Sequence, residues 1–147
     1  MSQQLETSND LVIPHAAHLS AKFLNVVQQR CAAENFGLTL SPRQQKQRVF
    51  LTGKIRFGNI WMRSKERQLV VFADPAGRSL HVGWQLTSDD QMLSHVLSQS
   101  LSTMAHMNDV IDARPEFQRQ LMTILHSFND LVFEPVVDLL VEAVEHH

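Results

Sequence analysis

Apolar and polar positions alternate with a period of two through residues 47–86 (QRVFLTGKIRFGNIWMRSKERQLVVFADPAGRSLHVGWQL), and with a helical period on either side. Alternation puts successive side chains on opposite faces of a strand. In the first run Val49, Leu51, Ile55 and Phe57 share one face, while Arg48, Phe50, Thr52, Lys54 and Arg56 share the other. Gly53 interrupts it, where a bulge or a close backbone approach is expected. Gly58-Asn59 predicts a tight turn into a short second run over residues 60–63. The third run contains Leu69-Val70-Val71-Phe72, four consecutive apolar residues, as in a strand covered on both faces. Asp74-Pro75-Ala76-Gly77 has the composition of a turn. Beyond it Leu80, Val82, Trp84 and Leu86 point inward, and Ser79, His81, Gly83 and Gln85 outward. This block predicts an antiparallel meander.

Flanking segments read as helices. Ala16, Leu19, Phe23, Val26, Val27 and Cys31 form one apolar stripe from a start near His15, just after Pro14, and Asn35 and Gly37 supply a stop. Residues 1–10 are polar and expected to fray. Leu38-Thr39-Leu40 suggests a short edge strand, and Ser41-Pro42 with Gln44 resembles a capping box opening a brief helical turn. After the meander, Ser88-Asp89-Asp90-Gln91 caps a predicted helix whose stripe runs Leu93, Val96, Leu97, Leu101, Met104, Met107, Ile111. Pro115 opens the next helix, through Phe117, Leu121, Ile124, Leu125, Phe128 and Val132. Pro135 either kinks it or starts another. The expected fold is one α+β domain over residues 1–147. It has an N-terminal helix, a four- to five-stranded antiparallel meander, and two or three C-terminal helices packed on one sheet face.

Charge divides the chain unevenly. Residues 43–88 hold nine Lys/Arg against Glu66 and Asp74, a net of +7, whereas residues 89–147 hold ten Asp/Glu against Arg114 and Arg119, a net of −8. The division suggests either internal complementarity or partners for each part. No apolar run approaches the roughly 20 residues that span a bilayer, and no signal-peptide pattern opens the chain, so no membrane partner and a cytoplasmic location are expected. The single Cys31 excludes an internal disulfide and lies in an apolar stripe, where thiols are inert.

Constellations that carry chemistry are missing from the pattern. There is no Gly-x-Gly-x-x-Gly, P-loop or Gly-x-Ser-x-Gly. His15 and His18 lie a helical turn apart but lack a third ligand in sequence. His81, His95, His106 and His126 stand singly. No catalytic residue, metal site or cofactor is therefore assigned. Three function classes remain as expectations. The first is a non-enzymatic protein-binding or adaptor module, chaperone-like and homodimeric, because the VVDLLVEAV segment is apolar nearly all round and needs cover. The second is a nucleic-acid-binding sheet face, with Arg48, Lys54, Arg56 and Arg63 on phosphates and Phe50 against bases. The third is a small-ligand or enzyme pocket between sheet and helices, lined by Trp61, Phe72, Trp84, Met104 and Phe128. Size and mild acidity are similar to those of the dimeric secretion chaperones. Those proteins place a helix between their third and fourth strands, where this chain has Asp74-Pro75-Ala76-Gly77, so no family is assigned.

Overall fold

A computed structural model describes residues 8–35, 37–57, 65–87 and 115–145. They form an α+β structure on one five-stranded antiparallel sheet: β1 (Ser8–Ile13), β2 (Ser41–Gln45), β3 (Arg48–Phe57), β4 (Lys65–Ala76) and β5 (Ser79–Thr87), in the order β1-β5-β4-β3-β2. Three of these strands stand where the apolar pattern predicts them. Leu51, Ile55, Leu69, Val71, Ala73, Leu80, Val82, Trp84 and Leu86 all enter the main core. Leu69, Val70, Val71 and Phe72 are buried on both faces of β4, with Phe50, Val70 and Phe72 forming a second cluster on the outer face. The β4–β5 connection is a two-residue turn, Gly77-Arg78, in which Gly77 takes a φ of +64°, so Asp74-Pro75-Ala76, expected in the turn, instead end β4 paired with β5.

Two edge strands correct the local reading. Residues 8–10, expected to fray, begin a strand instead: Ser8–Ile13 pairs antiparallel with β5, from Ser8 opposite Gln85 to Ile13 opposite Leu80. Some seventy residues separate those partners, so nothing local announces the pairing. Likewise Ser41–Gln45 is not a helical turn but the opposite edge, paired with β3. Pro42 is tolerated there because an edge strand has one side without ladder bonds. Residues 38–40, expected as the edge strand, instead pass over the inner face of β3. A Cβ on Gly53 would lie 2.7 Å from the Thr39 carbonyl oxygen, so the glycine marks the predicted backbone approach rather than a bulge.

With β1 and β2 on opposite edges, the chain must cross the sheet between them. Helix α1 (Ser20–Glu34) makes that crossing after a single 3₁₀ turn, Ala17–Leu19. Its stop is as predicted: Asn35 takes a left-handed conformation and its N–H reaches the Cys31 carbonyl at 3.4 Å. Helix α2 (Pro115–Phe128) continues through a π-turn (Asn129–Phe133) into α3 (Glu134–Glu145), so Pro135 neither ends the helix nor starts a separate one. Proline lacks the N–H that would bond the Leu131 carbonyl one turn back. Arg30 Nε of α1 donates to that carbonyl instead, at 2.9 Å. The predicted turn at 58–59, the strand over 60–63 and the capped helix over residues 88–111 lie outside the described residues.

The core is sealed by aromatic edges. Trp84 meets Phe128 at 6.1 Å and 86°, and Phe23 meets Phe133 at 6.1 Å and 84°. Such pairs contribute about 0.5–1.5 kcal/mol beyond their buried area. Asn129 in the π-turn ties the same corner together. Its Oδ1 accepts from Trp84 Nε1 at 3.0 Å and from Asn9 Nδ2 at 2.8 Å. Its own amide donates to Glu134 and Asp130, at 3.2 Å each.

Candidate functional site

Among the described residues, one corner of the inner sheet face is open. There α1 stands off from the β2–β3 hairpin and the end of β4, leaving a cleft of about 950 Å³. Its floor is apolar: Leu24, Leu51, Ala73, Pro42 and Pro75, with Val49 beside them. Val49 belongs to the inward set of β3 by alternation, yet it is 46% exposed, because no described helix covers that position. Polar groups form the rim: His18, Asn25 and Gln28 from the α1 side, and Gln47 from the hairpin turn. Two bonds hold the walls in place. Ser20 Oγ donates to the Ala73 carbonyl at 2.5 Å, and Gln28 Nε2 donates to the Leu40 carbonyl at 3.1 Å.

Arg48 and Asp74, which border the cleft from the outer face of β3 and β4, neutralise each other. Arg48 forms a two-pronged pair with Asp74, Nε to Oδ1 at 2.9 Å and Nη2 to Oδ2. Its guanidinium also lies 5.7 Å from the centre of the Phe72 ring. Phe72 meets His81 edge-on at 5.2 Å, and His81 Nε2 lies 2.8 Å from Asp10 Oδ2. Arg48, Phe72, His81 and Asp10 thus make a row across four strands on the outer face. Pairs of this kind, about a third exposed, add little stability each. Phe72 also lies against Gly83 on the neighbouring strand, where a Cβ would come within 2.6 Å of the ring.

The residues expected to line a pocket are divided by the sheet. Trp84 and Phe128 come together in the inner core and fill it, while Phe72 is on the outer face. Trp61 and Met104 lie outside the described residues. In the basic set, Arg48 is held by Asp74 and Lys54 is exposed. Phe50 is fully buried and presents no ring face to a base. The side chain of Arg56 and all of Arg63 lie outside the described residues. His15 and His18 both sit near the start of α1, His15 in a turn at φ +61°, and no group of three metal-binding side chains occurs among the described residues. Cys31 is buried, its Sγ lies 3.3 Å from the Leu38 carbonyl oxygen, and burial pushes its thiol pKa up to about 11. No described helix is long and apolar enough to cross a membrane.

Asn25, Gln28 and Gln47 were not singled out by sequence reasoning. Amides on a solvated helix face and in a turn carry no pattern of their own. The one available signal was Val49, an apolar residue at the exposed end of an edge hairpin. No protein-family model, curated protein or solved structure matches the chain.

Proposed function

We propose that this protein is a non-enzymatic binding module that receives an apolar side chain from a segment of a partner protein in the cleft between α1 and the β2–β3 hairpin. The observation that carries the reading is the combination of an open apolar floor with a rim of amides. Leu24, Val49 and Leu51 offer burial to an apolar anchor, worth about 1.5–3 kcal/mol for a fully covered aliphatic or aromatic side chain. Asn25 and Gln47 each offer a donor and an acceptor, which suits a peptide backbone, whose N–H and C=O need both. A displayed random-peptide selection with the full chain tests this. Peptides with apolar anchors should be enriched, and they should lose binding to Ala21→Trp, which fills the cleft with no change of charge. Enriched peptides indifferent to Ala21→Trp would refute the site.

Self-association is a second reading, favoured by a separate apolar groove. Leu19, Val26, Leu139, Leu140 and Ala143, with Lys22, enclose about 270 Å³ between α1 and α3, and Leu139 is 48% exposed. A homodimer would cover it. Sedimentation should then show a dimer that Leu139→Glu dissociates. A monomer at every concentration would rule the dimer out.

A further inference from the structure

The charges around the cleft specify what should flank the apolar anchor. Two hairpin turns close this end of the sheet, and each carries an exposed base, Lys46 in one and Arg78 in the other. The Arg78 carbonyl accepts from Ala17 N–H at 3.1 Å, which sets that turn beside His18 on the cleft wall. Lys46 immediately precedes the lining residue Gln47. Of the charges on residues 73–79 and 46–48, Arg48 and Asp74 pair with each other, which leaves Lys46 and Arg78 as the exposed bases of the two turns. The lining positions of α1 add no carboxylate.

We infer that the partner segment is acidic, an apolar anchor flanked by Asp or Glu side chains that meet Lys46 and Arg78. This rests on the peptide-binding reading above and names the chemistry of its ligand. Lys46 gives independent support. It is the first residue of a two-residue hairpin loop and holds a φ of +58°, a backbone conformation in which glycine or asparagine is the ordinary occupant. A lysine there sets an exposed base in the turn next to the lining residue Gln47, at the expense of backbone comfort. A nucleic acid would answer to the same bases, but it would leave the floor of Leu24, Val49, Leu51 and Ala73 unused.

Peptides enriched by the displayed library are measured by fluorescence anisotropy against wild type, Ala21→Trp, Lys46→Gly and the double variant Lys46→Glu/Arg78→Glu. Acidic residues are expected on both sides of the apolar anchor. The double reversal should raise Kd about tenfold and Lys46→Gly about two- to threefold. Raising salt from about 50 mM to about 500 mM should weaken binding about fivefold. Lys46→Gly should melt no lower than wild type, so its weaker binding cannot come from unfolding. If the double variant does not fold, Lys46→Gly and the salt titration decide. Neutral or basic peptides that respond to Ala21→Trp but not to the charge variants would overturn the acidic partner and leave the cleft standing. Peptides that ignore Ala21→Trp would overturn both. A single-stranded oligonucleotide bound more tightly than any peptide, and released by the double reversal, would also overturn the inference, assigning the rim to a polyanion.

Discussion

Two corners of one sheet face have opposite fates. At the β5 corner Trp84 and Phe128 lock edge to face, and Asn129 satisfies the indole N–H and the Asn9 amide with a single oxygen. At the β2–β3 corner Val49 stands half in solvent over a cleft that α1 borders without filling. Both corners carry inward-facing apolar side chains on regular strands. They differ in how many helices reach them. The continuous helical run α2–α3 covers the first, while among the described helices only α1 borders the second, on its way between the sheet edges. A crossing helix is about 10–12 Å wide, so it cannot cover the whole width of five strands. Stability should therefore reside at the first corner and binding at the second.

The largest effect that would test this contrast is Phe128→Ala, which empties the closed corner. Unfolding in urea should show a loss of about 3–5 kcal/mol. A loss below about 1 kcal/mol would mean that the corner is loosely packed, and the contrast would fail. Asn129→Ala should follow. It leaves Trp84 Nε1 and Asn9 Nδ2 without their acceptor, at about 1–3 kcal/mol for the buried indole donor. In a double-mutant cycle with Trp84→Phe the penalty should shrink, since the orphaned donor is then removed as well.

Cys31 gives a pH test of the same interior. Its folded pKa lies above the ordinary value of 9.0, at about 11, because burial disfavours the thiolate. The neutral thiol is thus preferred in the folded state. Its contribution is fully present below pH 9 and is lost as pH rises toward about 11. Cys31→Ser should remove that part of the alkaline fall in stability, and wild-type Cys31 should react slowly with thiol reagents at pH 8. Fast labelling of the native protein would show the interior to be open. The smallest effect on stability belongs to the cleft. Ala21→Trp lies on an exposed position and should change it by no more than about 0.5 kcal/mol while abolishing peptide binding. Equal loss of stability and binding would dissolve the distinction between the two corners.

Much of this architecture was legible because its signals are local. Period-two alternation located β3 and β5 and assigned Leu80, Val82, Trp84 and Leu86 to the core, and a run of four apolar residues located β4. Gly77 turned the last hairpin and Asn35 stopped α1. Each of these follows from the steric and hydrogen-bonding limits of one residue and its neighbours. Gly53 was legible as an exception but not in its cause, which is a backbone arriving from residues 38–40.

What only the tertiary structure decided depends on partners distant in sequence. Ser8–Ile13 became a strand through β5, and Ser41–Gln45 became one through β3 although its Ser-x-x-Gln pattern fits a helix cap. Alternation set Trp84 on the inner face, but only the tertiary structure put Phe72, expected beside it in a pocket, on the outer face and showed that Trp84 and Phe128 fill a core. The cleft has no motif at all. Its walls come from α1, the β2–β3 hairpin and the end of β4, and its emptiness arises from the route α1 takes between opposite edges of the sheet. A one-dimensional pattern records which residues avoid water. Where a helix falls short of covering them is a matter of distance between elements, and no local period carries it.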